Sequence, residues 1–243
     1  MSVLIGKVRS FGSLVKFSHT IFALPFALSM AVLLFSKYQI TSKQFLAILL
    51  CMVSARTVAM AFNRIVDRDL DSENPRTTKR EIPSGQVSVS SAYLLVIFSS
   101  IIFLFGSWVL GKHCLYMAPL VLLVLMIYSY TKRFSSYSHF FLGFCLALAP
   151  GAVWYAITGI WSLLPVPLMV GVAFWVGGFD IIYACQDADF DSTKGLFSLP
   201  SKLGVKKALI FSRISHLFSI FFFLLFGYLM GVGAFYYLGV AIF

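Results

Sequence analysis

Apolar runs of about 20 residues recur along almost the whole of this chain, and that recurrence restricts the fold more than any motif does. Inside hydrocarbon a backbone must satisfy its own N–H and C=O groups, which leaves helices or closed barrels, and continuous apolar runs of this length are helices. With 60% hydrophobic residues, 12% charged residues and a mean hydropathy of +0.91, the chain lies far outside soluble averages. It reads as an all-α, polytopic transmembrane helical bundle. Seven spans are expected at about 17–36, 44–66, 91–111, 114–131, 139–159, 164–186 and 207–230, with an eighth beginning near Val232 and still running at Phe243. The short connectors leave no room for a soluble domain, so residues 1–243 are expected to form one transmembrane domain. The opening MSVLIGKVRSFGSLVKF is basic and weakly amphipathic, lacks a small-residue cleavage site, and is expected to be a retained interfacial lead-in. Cys51, Cys114, Cys145 and Cys185 fall in or beside apolar runs without C-x-x-C spacing, so they are expected to be buried small hydrophobes.

Charge sorts by side. If the N-terminus is cytoplasmic, fourteen Lys and Arg fall inside and only Lys37, Lys43 and Lys112 fall outside, with Arg56 and Arg213 within spans. The net charge of +10 is then a matter of topology and of attraction to anionic lipid, and nucleic acid is not an expected partner. The expected location is a bacterial inner membrane, with the N-terminus on the cytoplasmic side.

The nine acids are distributed differently. Asp67, Asp69, Asp71, Glu73 and Glu81 follow the second span; Asp180, Asp187, Asp189 and Asp191 lie at and after the sixth, on the same predicted side. Ordinary solvated connectors would scatter acids over every loop. At about 100° per residue, Arg56, Asn63, Asp67 and Asp71 share a stripe roughly 80° wide while Asp69 points elsewhere, and Asp180, Tyr183, Asp187 and Asp191 repeat the arrangement. Carboxylates four apart on a helix repel, so two such pairs imply a cation. Hard oxygen ligands suit Mg²⁺, which completes its shell with water and substrate phosphates. Asp67-x-x-x-Asp71 and Asp187-x-x-x-Asp191 are four spans apart and so run parallel. This suggests two pseudo-repeated four-helix halves, about 17–131 and 139–243, around a central cavity.

NRIVDRDLD at 63–71 resembles the N-x-x-x-D-x-x-x-D motif of the UbiA superfamily of intramembrane aromatic prenyltransferases, and DIIYACQDADFD at 180–191 resembles its D-x-x-Y-x-x-x-D-x-x-x-D motif. Further similarity runs through SHTIFALPFAL, ARTVAMAFNR, NPRTTKREIPSG, YSYTKRF and GLFSLPSKLG, covering nearly the whole chain, and is strongest toward the 4-hydroxybenzoate polyprenyltransferase branch. The resemblance implies transfer of a polyprenyl group from a polyprenyl diphosphate to an aromatic acid in quinone biosynthesis, with a dihydroxynaphthoate as the alternative acceptor. Carried over by position, it implies that Asn63, Asp67, Asp71, Asp187 and Asp191 bind the metal and diphosphate. Arg64, Lys132 and Lys194 become candidate phosphate contacts, their alternative being positive-inside anchors. Tyr183 could stabilise an allylic cation through its π face or be an interfacial aromatic. Asp180 could orient the acceptor or take its proton. Arg56, deeper on the stripe, could bind an anion in the pocket or pair with Asp180. His19 reads as interfacial, and His113, His139 and His216 show no ligand spacing. Family members have nine helices as a rule, so this chain is expected to be shortened at its C-terminus. A cation transporter is the rival from another class, but it has no need of aspartates crowded at one end beside Arg and Lys. A CDP-alcohol phosphotransferase is disfavoured because D-G-x-x-A-R is absent.

Overall fold

The computed structural model describes residues 12–14, 17–35 and 37–242, without the side chains of 17–23. Most of the expected interfacial lead-in, and the side chain of His19, lie outside these residues. Every regular element among them is helical. In chain order these are α1 (Phe17–Phe35), α2 (Ser42–Val66), α3 (Arg68–Glu73), α4 (Val89–Leu110), α5 (Lys112–Ile127), α6 (Ser138–Thr158), α7 (Val166–Ala184), α8 (Ala188–Thr193), α9 (Leu199–Leu203), α10 (Val205–Met230) and α11 (Ala234–Ile242). Short 3₁₀ turns at Tyr128–Arg133 and Cys185–Asp187 follow α5 and α7.

Six of these stretches are long and apolar enough to cross a bilayer: Ser42–Val66, Val89–Leu110, Lys112–Arg133, Ser138–Thr158, Val166–Thr193 and Val205–Met230. The protein is an integral membrane protein. The expected first span is present as α1, whose described apolar part is Leu24–Phe35. The expected eighth segment is present as α11: at Gly231 the chain leaves α10 in a left-handed conformation, and Ala234–Ile242 is helical to the end of the described residues. The two polar connectors also hold more structure than expected, namely the short helices α3, α8 and α9.

Local sequence sets the helix ends. Thr41 accepts from the Gln44 N–H at 3.2 Å while the Gln44 side chain accepts from the Thr41 N–H at 3.0 Å, a capping box that starts α2. Ser88 accepts from the Ser91 N–H at 3.1 Å and starts α4. One residue, Gly111 at φ +133°, turns α4 into α5, a backbone position that a side chain would strain.

The chain divides into two compact units, residues 1–27 with 35–130, and residues 28–34 with 131–243. In the first, α4 turns Ala92, Val96, Ser99, Phe103, Gly106 and Ser107 inward and leaves Leu94, Ile97, Phe98, Ile101, Phe105 and Trp108 exposed. Small residues inside and large ones outside are what a helix in lipid requires, because close backbone approach drives packing where burial cannot. The core joins Val58, Ala61, Ile65, Ala92, Val96, Phe103, Ala118 and Leu122 to Ile82 and Val87, which anchor the polar connector 74–88 beside the end of α2. In the second unit, α7 packs against both α6 and α10. Gly143 of α6 lies so near α7 that a Cβ there would come within 2.2 Å of the Ala173 carbonyl oxygen. Ser212 Oγ donates to the Gly178 carbonyl at 2.8 Å, and Phe174 stacks on Phe218 and Phe222.

Candidate functional site

The first acidic motif sits where α2 ends. Asp67 is the capping residue between the end of α2 and the start of α3, with φ −93° and ψ 3°. The helix is therefore interrupted there, yet the i to i−4 bonding carries on. The Asp67 N–H bonds the Asn63 carbonyl at 2.9 Å and the Asp71 N–H bonds that of Asp67 at 2.7 Å. The expected common face survives the break. Asn63 Nδ2 donates to Asp67 Oδ2 at 3.0 Å, and Asp67 and Asp71 are both buried, whereas the Asp69 side chain is 82% exposed against 7% for Asp71.

Asp71 also has a partner that the helical stripe did not reveal. Residues 74–84 coil back through turn hydrogen bonds, and Thr77 Oγ1 donates to the Asp71 carbonyl at 3.0 Å. Arg80 thereby reaches Asp71 with Nη1 2.6 and 2.7 Å from its two carboxylate oxygens. Next to this pair Glu81 is buried and accepts from Ser13 Oγ. Arg64 is 3% exposed, and the charges acting on it are those of Arg80, Asp71, Glu81 and Asp67. Its Nε has no hydrogen-bond acceptor among the described protein atoms, and neither has that of Arg56, which lies half-buried two turns earlier. A buried N–H donor left unpaired costs about 1–3 kcal/mol, so two arginines with this feature on one helix are candidates for an anionic partner.

The second motif repeats the local design. Asp187 ends a 3₁₀ turn and precedes α8 with φ −109° and ψ 7°, close to the conformation of Asp67, and α8 like α3 is six residues long. Asp191, four residues on, is half-buried, with Ser198 beside it and the charges of Asp187, Lys132 and His139 acting on it. Lys132 is positioned from its backbone, since its carbonyl accepts from the Phe197 N–H at 2.8 Å. Lys194 closes α8 and is exposed. Tyr183 is 37% exposed on α7. Asp180, deeper in the same helix, lies 2.8 Å from His139 Nδ1.

The donors of both motifs are hard oxygens, four carboxylates and one amide. Among the described residues no three His, Cys, Asp or Glu side chains converge on one point, so these residues do not make an all-protein cage. That fits Mg²⁺, which keeps water and takes phosphate oxygens in place of a full set of protein ligands. Sequence reasoning missed Arg80, Glu81, His139 and Ser198. Arg80 stands inside the NPRTTKREIPSG segment, but only the turns of residues 74–84 direct it to Asp71.

Comparison with known proteins extends this description. The sequence model of the UbiA prenyltransferase family matches residues 23–243. The 4-hydroxybenzoate octaprenyltransferase of Francisella tularensis subsp. mediasiatica is 28% identical over 193 residues, 78% of this chain and 66% of that protein. The chain spans 45–66% of the length of the curated relatives it matches, under two thirds. Among solved structures, the apo form of a UbiA homolog from Aeropyrum pernix K1 is similar over 93% of this chain and 84% of its own, with a TM-score of 0.87 and 35% identity. A UbiA homolog from Archaeoglobus fulgidus bound to DMAPP and Mg²⁺ shares the fold at a TM-score of 0.73 and 18% identity, over 96% of this chain and 82% of its own.

Proposed function

Since the chain belongs to the UbiA prenyltransferase family, we propose that it transfers a polyprenyl group from a polyprenyl diphosphate to an aromatic acid, 4-hydroxybenzoate being the preferred acceptor. The observation that carries this reading is the repeated local design, in which an aspartate ends a helix at each motif and a second aspartate follows on the same face four residues later. Asn63, Asp67, Asp71, Asp187 and Asp191 would hold Mg²⁺ on the diphosphate, where the ion neutralises charge on the leaving oxygens. DMAPP and Mg²⁺ in the A. fulgidus homolog, and the 4-hydroxybenzoate activity in the F. tularensis relative's name, support this assignment.

The chain's own residues then divide the work. Arg64 offers a buried N–H to a phosphate oxygen, and Lys132 and Lys194 add charge from the second motif. The allylic C–O bond breaks with its electron pair leaving on diphosphate. A ring carbon of the acceptor forms the new C–C bond, and the ring proton departs. Tyr183 presents a π face to positive charge on the allyl group, Asp180 orients the acceptor and takes the proton, and Arg56 holds the acceptor carboxylate. The N-terminus and both motifs lie on the cytoplasmic side of a bacterial inner membrane in this reading. The test is incubation of membranes holding the protein with a labelled polyprenyl diphosphate, Mg²⁺ and a panel of aromatic acids, followed by mass spectrometry. Prenylated 4-hydroxybenzoate is the expected product. Transfer to a dihydroxynaphthoate alone would replace the acceptor, and no transfer by folded protein would end the enzyme reading.

Two further results are expected. Tyr183→Phe keeps the π face and should retain most of the turnover, while Tyr183→Ala should lose at least about tenfold, mainly in kcat because the charge develops only during ionisation. Equal severe losses would make the hydroxyl the working group. For topology, cysteines placed at Gln86 and Ser42, both exposed, should be labelled from the inside and the outside respectively in intact cells and inverted vesicles. The reverse pattern would invert the assignment.

A further inference from the structure

His139 has no part in the proposed reaction, yet it is a buried titratable side chain held at both ring nitrogens near the second motif. It lies in the first turn of α6 and is 3% exposed. Its Nε2 is 3.2 Å from the backbone nitrogen of Leu199, whose N–H can only donate, so Nε2 accepts and carries no proton. The ring proton is then on Nδ1, which donates to Asp180 Oδ2 at 2.8 Å. An imidazolium would set two donors against each other at Leu199. The backbone selects the tautomer, and the tautomer fixes the Asp180 carboxylate.

The same backbone also serves the acids. Leu199 is the first residue of α9, and three residues before it the Leu196 N–H returns to the Asp191 carbonyl at 2.9 Å. His139 thus links segment 196–199, which steadies Asp191, to Asp180 on α7. We propose that His139 is a positioning residue, a neutral imidazole locked by the Leu199 N–H that orients Asp180 toward the aromatic acceptor. This rests on the acceptor role proposed for Asp180.

Three substitutions separate the two hydrogen bonds. His139→Asn keeps a donor near the place of Nδ1, His139→Gln keeps an acceptor near that of Nε2, and His139→Ala keeps neither. In membranes, with a polyprenyl diphosphate and 4-hydroxybenzoate, Ala and Gln should lower kcat/KM for the acceptor by about 10-fold or more, in the range for a residue that orients a working group. KM for the diphosphate should stay within about twofold in all three, and Asn should recover most of the loss. Rescue by Gln and not Asn would make His139 a prop for α9 and overturn the proposal, as would equal losses for both substrates. A second measurement needs no turnover: ¹⁵N-histidine NMR of the wild-type protein in micelles, with the His139 signals identified by their absence from His139→Asn. Nδ1 should be protonated and Nε2 bare. The opposite tautomer or a doubly protonated ring would overturn the proposal even if the wild type were an active prenyltransferase. A wild type with no transfer activity would sink the function proposed above while the NMR still decided the lock.

Discussion

Asp67→Asn should lower turnover by about 100-fold or more, the scale on which enzymes lose a group that stabilises developing charge, and Asp187→Asn should cost as much. Each change is nearly isosteric and removes one negative charge from an acid that ends a helix at the head of its motif. In the proposed reaction neither motif alone neutralises the diphosphate, so the two act as one unit. The double variant should therefore be little worse than either single. Asp69→Asn is the control. Its side chain is exposed and, among the described residues, has Arg68 at 3.4 Å as its polar partner, so turnover should fall by less than about threefold, as for surface changes away from a site. Full multiplication of the Asp67 and Asp187 losses would assign the motifs to separate sites, and an equally sensitive Asp69 would remove the geometric basis of the first one. Steady-state rates in membranes, normalised to folded protein, decide between these outcomes.

The second large effect is on folding. Gly143→Val should cost at least about 3 kcal/mol, the upper end of the range for overpacking, because the new Cβ would come within 2.2 Å of the backbone oxygen of Ala173. Backbone on a packed helix cannot move aside, so α6 and α7 would have to separate along their contact. Gly151, on the same helix, provides the contrast. A Cβ there meets Met169 Sδ at 2.6 Å, and a thioether at the end of a flexible side chain can rotate away. Gly151→Ala should shift the melting temperature by only a few degrees, on the order of 1 kcal/mol, while Gly143→Val should prevent recovery of folded protein from detergent. Comparable melting of the two variants would mean that α6 and α7 can part at Gly143 without penalty.

What was legible in the sequence was periodic. Apolar runs of bilayer length located the spans to within a few residues, because the requirement that lipid imposes is local and one-dimensional. The stripe through Asn63, Asp67 and Asp71 was legible as well, and Asp69 does point away, since i to i−4 bonding persists across the break at Asp67. The break itself was not visible, because a helical wheel assumes one continuous helix. Arg80 and Asp71 are nine residues apart with no helical register between them, and only a sequence of turns joins them. His139 and Asp180 are 41 residues apart on neighbouring helices, so their pairing belongs to packing and leaves no mark in spacing.

The position of Asp67 has a consequence for what keeps an acid there. Asp67 stands between opposed poles: the negative end of a 25-residue helix, a penalty of about 0.3–1 kcal/mol, and the positive end of α3, to which it makes no side-chain capping bond. Asp187 likewise leaves α8 without a side-chain cap. If both acids serve the proposed reaction, selection for turnover is what retains them, since neither supplies a side-chain cap to the helix that follows it.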